Sequence, residues 1–138
     1  MLGGQVGETS GRVTGTRVLP GDDYRYVKME ITVQETGTLC GAEGMNIGTY
    51  TIFERVPGQI YGQGQGIFES AGGDGAIWNG HAIGRPGSSG GMSTSIRFSI
   101  AFQAGQTGPL SRLNSVLVIG EHEVDVEGFT KTTFWEWK

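Results

Sequence analysis

Residues 96–102 read Ile-Arg-Phe-Ser-Ile-Ala-Phe, so large apolar side chains alternate with small or charged ones over seven positions. Two other stretches share this period of two, because the odd positions of residues 27–33 and the even positions of residues 116–126 are mainly apolar. Successive side chains of a β-strand point to opposite faces of a sheet. The three stretches therefore predict strands with one buried and one solvated face.

Clusters rich in glycine and proline separate runs of roughly 10–14 residues that contain many β-branched and aromatic residues. Glycine and proline favour tight turns, so the clusters predict the connections between strands. No window combines a helical period with helix caps, and residues 104–111, with two glycines and a proline, are predicted to form a loop. Eight strands are predicted, at about residues 11–19, 24–36, 45–56, 59–70, 76–85, 92–103, 114–126 and 129–137.

Short connections force neighbouring strands to run antiparallel. Closing a sheet into a barrel removes the exposed edges that promote aggregation. Glycines within strands allow the bends that a small barrel needs. The sequence therefore predicts an all-β fold with a single antiparallel barrel of about eight strands over residues 1–138, with a β-sandwich as the alternative.

Composition and charge exclude several classes of protein. The chain has 10 basic and 14 acidic residues and a net charge of −4, without the basic stripe that would follow nucleic-acid phosphates. No apolar stretch approaches the roughly 20 residues that span a bilayer, and the first residues lack the basic and apolar regions of a signal peptide. Cys40 is the single cysteine, so we interpret it as a small packing residue beside a turn, in a protein of the reducing cytoplasm. We expect no nucleic-acid partner, no membrane partner, no cofactor and no metal.

Residues 61–67 read Tyr-Gly-Gln-Gly-Gln-Gly-Ile, which places three glycines on one strand face and Gln63 and Gln65 on the other. A dinucleotide-binding motif needs its glycines between a strand and a helix, so phosphate binding is not indicated. Strand glycines instead mark a bend or the close approach of a bulky group. We predict that these glycines lie beneath a large neighbour such as Trp78 or Phe68.

A polar face follows on the next strand, where Asn79 and His81 point the same way, and Arg97 of the strand after it extends this face in a suitable register. If this face points inward, it forms a buried network that water or a ligand must complete. If it points outward, the residues are merely solvated. Both alternatives remain open, and His81 is either a surface residue or a group that binds a ligand or transfers a proton.

His122 shares the apolar face of its strand with Val118 and Val124, so it is predicted to lie in the core or to line a cavity. Alternation directs Glu121 and Glu123 to the opposite face, which argues against a metal site shared by the three residues. This acidic face is predicted to be solvated.

Two apolar strand faces are predicted to pack together inside the barrel. They consist of Val27, Met29, Ile31 and Val33 on one strand and Ile96, Phe98, Ile100 and Phe102 on another. A mainly apolar interior with a few polar groups is typical of small-molecule pockets. The candidate ligand-binding residues are Gln63, Gln65, Asn79, His81, Arg97, Phe98 and His122, and no catalytic residue is assigned.

Several motifs together resemble a family of small uncharacterised bacterial proteins. They are Gly62-Gln63-Gly64-Gln65-Gly66, Trp78-x-Gly80, Gly84-Arg85, residues 97–103, and a closing segment from Leu113-Asn114 through Glu123-Val124-Asp125 to Trp135-Glu136-Trp137-Lys138. The resemblance covers about residues 45–138. That family is similar in layout to the allene-oxide-cyclase-like barrels, a group that includes cyclases folding a flexible apolar substrate inside an eight-stranded barrel. The resemblance implies an allene-oxide-cyclase-like barrel and carries over no catalytic residue. A lipocalin-like barrel is the other form that the predicted fold can take.

Three functions are compatible with this architecture. The first is binding of a small apolar or amphipathic molecule, because an eight-stranded barrel can hold one small ligand. The second is a cofactor-free cyclase or isomerase that holds its substrate in a reactive shape, with His81, Gln63, Asn79 and Arg97 as local candidates. The third is a structural or interaction module with a filled core. A homo-oligomer is compatible with each of them.

Overall fold

Each strand of the computed structural model pairs antiparallel with its neighbours in sequence, and the last strand pairs with the first. The structure describes residues 1–21, 28–88 and 90–138. The strands are β1 (Leu2–Leu19), β2 (Lys28–Leu39), β3 (Ala42–Glu54), β4 (Ile60–Ser70), β5 (Gly75–Pro86), β6 (Thr94–Ala104), β7 (Leu117–Val124) and β8 (Phe129–Trp137). This closed barrel confirms the predicted all-β fold and rules out the sandwich, because the sheet closes on itself.

β1 is longer than predicted, since it begins at Leu2 rather than near residue 11. Its first half is rich in glycine and shows no clear alternation, so its sequence has little preference for a strand. Pairing with β2 on one side and β8 on the other stabilises it instead. Register shifts between Val13 and Gly15, and between Leu2 and Gly7, are typical of β-bulges and let the strand bend around the barrel.

A 3₁₀ helix, Pro109–Ser115, lies between β6 and β7, where the sequence predicts a loop and then a strand from residue 114. Leu110 and Leu113 are three residues apart and therefore share one face of this helix. Both side chains are almost fully buried in the apolar cluster at this end of the barrel. The helix thus closes one end of the barrel. Among the described residues, no helix has both the length and the apolar character needed to cross a bilayer.

The two ends of the barrel differ. The closed end carries the 3₁₀ helix and both chain termini, whereas β1, β3, β5 and β7 finish at the opposite end, the upper end. Toward the closed end, a large apolar cluster consists of Val6, Leu39, Phe68, Ala76, Ile100, Phe102, Leu110, Leu113, Val118 and Phe134. Toward the upper end, a smaller cluster consists of Ile31, Val33, Ile52 and Ile60.

The two apolar strand faces predicted to lie inside the barrel do so. Their described members belong to the two clusters, pack against them or border the space between them: Met29, Ile31, Val33, Ile96, Phe98, Ile100 and Phe102. Val27, with the rest of the predicted strand residues 24–27, lies outside the described residues. On β7 the even positions are buried whereas Glu121 and Glu123 are exposed, as the alternation predicts.

Cys40 lies in the two-residue turn between β2 and β3, with a positive φ of 52°. Its side chain packs against the large cluster, which confirms the predicted packing role beside a turn. Burial raises the pKa of the thiol, so the side chain stays protonated at neutral pH and is a weak nucleophile.

Glycines in two strands make room for the ring of Trp78. A Cβ atom on Gly48 of β3 would come within 2.5 Å of Trp78 Cζ2, and one on Gly66 of β4 would also collide with the ring. Trp78 Nε1 donates a hydrogen bond to Asn46 Oδ1 at 2.8 Å, which holds the indole in place. The prediction that glycines of residues 61–67 lie beneath a large neighbour is therefore confirmed for Trp78.

Gly66→Ala is expected to destabilise the protein by about 1–3 kcal/mol, because the added methyl group collides with the Trp78 ring and with the carbonyl oxygen of Ile47. Gly75→Ala is the matched control, since the nearest atom to its added Cβ is Phe68 O at 3.7 Å. The control should change stability by no more than about 0.5 kcal/mol. Urea unfolding measures both free energies, and equal stability of the two variants would show that the ring is not held against Gly66.

Candidate ligand-binding cavity

The middle of the barrel, between the two apolar clusters, contains a cavity of about 70 Å³. Large apolar side chains form most of its wall: Val33, Ile52, Ile60, Trp78, Ile96, Phe98, Ile100 and Phe134. Small residues of β4 and β5 leave room beside them: Gly62, Gly64, Gly80 and Ala82. Seven polar residues also border the cavity. Two of them, Gln63 and His81, have exposed side chains, and the other five are buried or half-buried: Glu35, Asn46, Tyr50, His122 and Thr132. The side chains of the barrel therefore leave part of its interior unfilled.

A second space, of about 330 Å³, lies at the upper end of the barrel. Its walls include Met29, Phe53 and Met92. Ile52 and Ile60 border both spaces, so their side chains lie between the inner cavity and the upper end. Apolar side chains thus lie between the upper space and the polar residues of the cavity.

Glu35 of β2 places a carboxylate inside the barrel, with only 1% of the residue exposed. Thr9 of β1 donates a hydrogen bond to Oε1 at 3.0 Å, and Thr130 of β8 donates to Oε2 at 2.7 Å. Thr132, also on β8, lies 3.0 Å from Oε1 and 2.8 Å from Oε2. Three hydroxyl donors from two other strands therefore satisfy this buried group, as burial of a polar side chain requires.

A chain of hydrogen bonds runs from Glu35 to the opposite side of the cavity. The single hydroxyl proton of Thr132 is directed to Glu35, so Thr132 Oγ1 accepts a hydrogen bond from His122 Nδ1–H at 2.7 Å. In a neutral imidazole the other nitrogen is then an acceptor. His122 Nε2 therefore accepts from the Tyr50 hydroxyl at 3.3 Å. The proton donors of this chain all point from Tyr50 toward Glu35.

The surroundings of this hydrogen-bond chain keep His122 and Tyr50 uncharged. Burial lowers the pKa of His122, and the negative charges of Glu35 and Glu123 only partly oppose this effect. Burial also raises the pKa of Tyr50, with a smaller contribution from the charge of Glu35. At neutral pH His122 is therefore an imidazole and Tyr50 an uncharged phenol, which agrees with the direction of the hydrogen bonds.

Asn46 adds a hydrogen-bond donor to the cavity. Its Oδ1 atom accepts from Trp78 Nε1, and because an indole can only donate, this contact determines which way the amide points. Within residues 1–21, 28–88 and 90–138, no atom accepts a hydrogen bond from Asn46 Nδ2. The residue is 5% exposed and borders the cavity, so its amide NH₂ group is available to a molecule bound there.

The seven predicted ligand-binding residues fall into two groups. Phe98 and His122 border the cavity, as the alternation predicts. The other five have exposed side chains on the outer face of the barrel: Gln63, Gln65, Asn79, His81 and Arg97. The inward alternative for this polar face is wrong, because glycine and alanine occupy the inward positions between these residues on β4 and β5. Gln63 and His81 border the cavity although their side chains are exposed.

Contacts on the outer face account for two of these residues. Arg97 forms ion pairs with Glu121 at 3.5 Å and with Glu123 at 2.9 Å. The ring of His81 lies 6.2 Å from the ring of Tyr61. Exposed ion pairs of this kind contribute little to stability. We therefore interpret these contacts as ordinary features of the outer surface and not as part of a ligand-binding site.

Sequence analysis does not identify Glu35, Tyr50 and Thr132. Glu35 continues the odd-numbered apolar face of β2 after Val33, so its position in the alternation is the signal for a buried carboxylate. Thr132 similarly shares the buried even positions of β8 with Phe134. No local pattern indicates that these residues form a chain with Tyr50, because the contacts join strands on different sides of the barrel.

Comparison with known proteins finds similarity of fold. No family model matches the sequence, and the search of curated proteins finds no match. A protein with unknown function from Clostridium acetobutylicum ATCC 824 has a TM-score of 0.79 at 11% identity, with 97% of each chain covered. A conserved protein of unknown function from Rhodopseudomonas palustris has a TM-score of 0.77 at 13% identity, with 99% of each chain covered.

A third similar structure is a β-barrel-like protein from Acinetobacter baumannii AYE. Its TM-score is 0.79 at 10% identity, and the match covers 100% of this chain and 96% of that one. Identities this low relate the proteins by fold alone. The chain therefore shares its architecture with small β-barrel proteins, two of which have no known function.

The buried state of His122 predicts a pH-dependent stability. Because burial lowers its pKa, the unfolded chain binds a proton at higher pH than the folded one, and stability falls as the pH drops below about 6.5. We expect the melting temperature to fall between about pH 7.5 and about pH 5.5, on either side of the ordinary histidine pKa, and to fall less in His122→Gln.

His81→Gln is the control for this experiment, because it removes the other, exposed histidine. It should retain the pH dependence of the wild-type protein. Thermal unfolding followed by circular dichroism measures all three proteins. The same pH dependence in wild type and in His122→Gln would contradict a buried neutral imidazole.

Proposed function

We propose that the barrel binds one small, mainly apolar molecule in its interior. The observation that carries this proposal is an unfilled cavity with apolar walls and a few polar side chains on one side. Such a combination is typical of small-molecule sites, where apolar contact supplies affinity and the polar groups orient the ligand. Eight strands also make a barrel of about the width that holds one small ligand.

The sizes of the two spaces limit the shape of the ligand. The inner cavity, about 70 Å³, is smaller than the roughly 150 Å³ engineered cavity that binds benzene, so it takes only a small part of a molecule. The upper space of about 330 Å³ has room for the remainder. The proposed ligand is therefore slender and amphipathic, with its polar end in the cavity and its apolar body extending past Ile52 and Ile60.

Three finer interpretations of the sequence belong to the same proposal. They are a layout similar to allene-oxide-cyclase-like barrels, a bacterial origin and a cytoplasmic location. The eight-stranded barrel with an apolar interior supports the first, and the bacterial sources of the similar solved structures support the second. The third is supported by Cys40, a lone thiol that packs as a core residue.

Narrowing the cavity tests the proposed binding. Ala82 borders the cavity, and Ala82→Val adds two methyl groups to a space of about 70 Å³. Toluene is a small neutral hydrocarbon whose ring fits the upper space of about 330 Å³ and whose methyl group fits the inner cavity. It should bind the wild-type protein, and the variant should bind it about fivefold more weakly or worse, which corresponds to about 1 kcal/mol. Ligand-detected NMR measures the two affinities.

Ala101→Val is the matched control, because Ala101 is exposed on the neighbouring strand β6. It makes the same chemical change on the outer face and should leave toluene binding unchanged. Toluene that does not bind the wild-type protein, or that binds Ala82→Val as tightly as wild type, would contradict interior binding.

A second candidate function is a cofactor-free isomerase or cyclase, and the hydrogen-bond chain favours it. Tyr50 and His122 border the cavity, and the chain connects them through Thr132 to the carboxylate of Glu35. Such a chain can exchange a proton with a bound molecule and stabilise the charge that results. In this function Tyr50 or His122 contacts the ligand, and the exposed His81 has no part.

Movement of a double bond into conjugation tests this second candidate. A hexenone with its double bond one carbon away from conjugation loses a proton beside the carbonyl group and regains one at the far end of the double bond. Ultraviolet absorbance of the conjugated product measures the rate. His122→Gln should abolish the activity and His81→Gln should retain it. No turnover by the wild-type protein, or full turnover by His122→Gln, would contradict the second candidate.

A further inference from the structure

We infer that the interior accepts neutral oxygen-bearing molecules and rejects carboxylates, with Asn46 donating to the ligand oxygen and Glu35 excluding anions. This inference rests on the proposed function, because it names the chemical class of the molecule bound in the same cavity. It assigns a role in specificity to two residues that have no place in the sequence-based candidates.

Asn46 supplies the donor. Trp78 occupies the carbonyl oxygen of its side-chain amide, so Nδ2 is the part of the amide that a ligand can use. The residue is 5% exposed, and no described atom accepts a hydrogen bond from Nδ2. Every fully buried polar side-chain atom of the described residues has a hydrogen-bond partner, so the unpartnered Nδ2 keeps some accessible surface. A carbonyl, amide or hydroxyl oxygen in the cavity would accept a hydrogen bond from it.

Tyr50 supplies an acceptor on the same side of β3. Its hydroxyl proton is directed to His122 Nε2, which leaves a lone pair of the phenol oxygen for a donor in the cavity. A primary amide or an alcohol carries both an acceptor and a donor, so it can use Asn46, Tyr50 or both. A carboxylate carries acceptors alone.

Glu35 places a negative charge at the cavity wall. It pairs directly with Asn46 in the register of β2 and β3 and borders the same cavity. Three threonine hydroxyls converge on its two oxygens and donate hydrogen bonds to them. Charges in a poorly solvated interior interact more strongly than in water, so an anion beside Glu35 is strongly disfavoured.

No cation of the cavity wall offsets this charge. The described residues that border the cavity include neither lysine nor arginine. Two histidines border it: the side chain of His81 is exposed, and Thr132 and Tyr50 occupy both ring nitrogens of the buried His122. A carboxylate in the cavity would therefore be buried without a charge partner, whereas a neutral amide or alcohol would not.

Hexanamide and hexanoate have nearly the same shape and differ in charge, so they test the inference directly. At about pH 7.5 the carboxylic acid is ionised, and the wild-type protein should bind hexanamide about tenfold more tightly or better, a difference of at least about 1.4 kcal/mol. Isothermal titration calorimetry measures both affinities.

Glu35→Gln removes the charge and retains an acceptor for the threonine hydroxyls. It should raise the affinity for hexanoate about tenfold and change that for hexanamide less than about twofold. Glu121→Gln is the matched control, because Glu121 is an exposed carboxylate on the outer face of β7. It should leave both affinities unchanged.

The outcomes separate the inference from the proposed function. Hexanoate binding to wild type as tightly as hexanamide would overturn the inference and leave interior binding intact. Two further results would also overturn the inference alone. One is binding of toluene without binding of hexanamide or hexanoate, and the other is a folded Glu35→Gln that prefers hexanamide over hexanoate as strongly as wild type does. Absence of binding by all three compounds would overturn the proposed function and the inference with it. Thermal unfolding verifies that Glu35→Gln is folded, and if it is not, the wild-type ratio of affinities decides alone.

Discussion

Closure of the eight-stranded sheet is the constraint on which the rest of the structure depends. Once β8 pairs with β1, alternate residues of every strand must point into an interior of limited width. Large side chains can occupy that space only where the facing positions are small. Gly48 and Gly66 therefore lie under Trp78, and Gly120 lies under the ring of Phe98. Part of the glycine content of the chain is a consequence of this crowding, and other glycines occupy turns with positive φ.

The same constraint explains where the cavity and its polar groups lie. Apolar side chains and the 3₁₀ helix fill the closed end, whereas small residues of β4 and β5 leave the middle open. Glu35 is tolerated there because strands β1 and β8 bring three hydroxyl donors to it. Those donors are neighbours only in the closed barrel, since they come from the two ends of the chain.

The barrel therefore combines a mainly apolar space at its upper end with a small polar region in the cavity. The barrel's own side chains make most of the hydrogen bonds of that region. The exceptions face the cavity: the amide nitrogen of Asn46 and the oxygen of Tyr50. These two atoms, together with the charge of Glu35, determine which polar groups the interior can accept. Two of the solved proteins with a similar fold have unknown function, so the chemistry of these residues is the basis for the proposals.

The sequence by itself determined the strand order, the inner and outer faces of β2, β6 and β7, and the inward position of His122, because alternation is a local property that each strand carries. It also indicated a bulky neighbour over the glycines of β4. The sequence did not predict that the glycine-rich first half of β1 is a strand. Pairing with β2 and β8 stabilises that half, although its residues have only a weak intrinsic preference for strand structure. Nor could the sequence decide the direction of the polar face that contains His81. The chain from Glu35 to Tyr50 was decided only by the tertiary structure, because it joins residues of β2, β8, β7 and β3 that meet once the sheet closes around them.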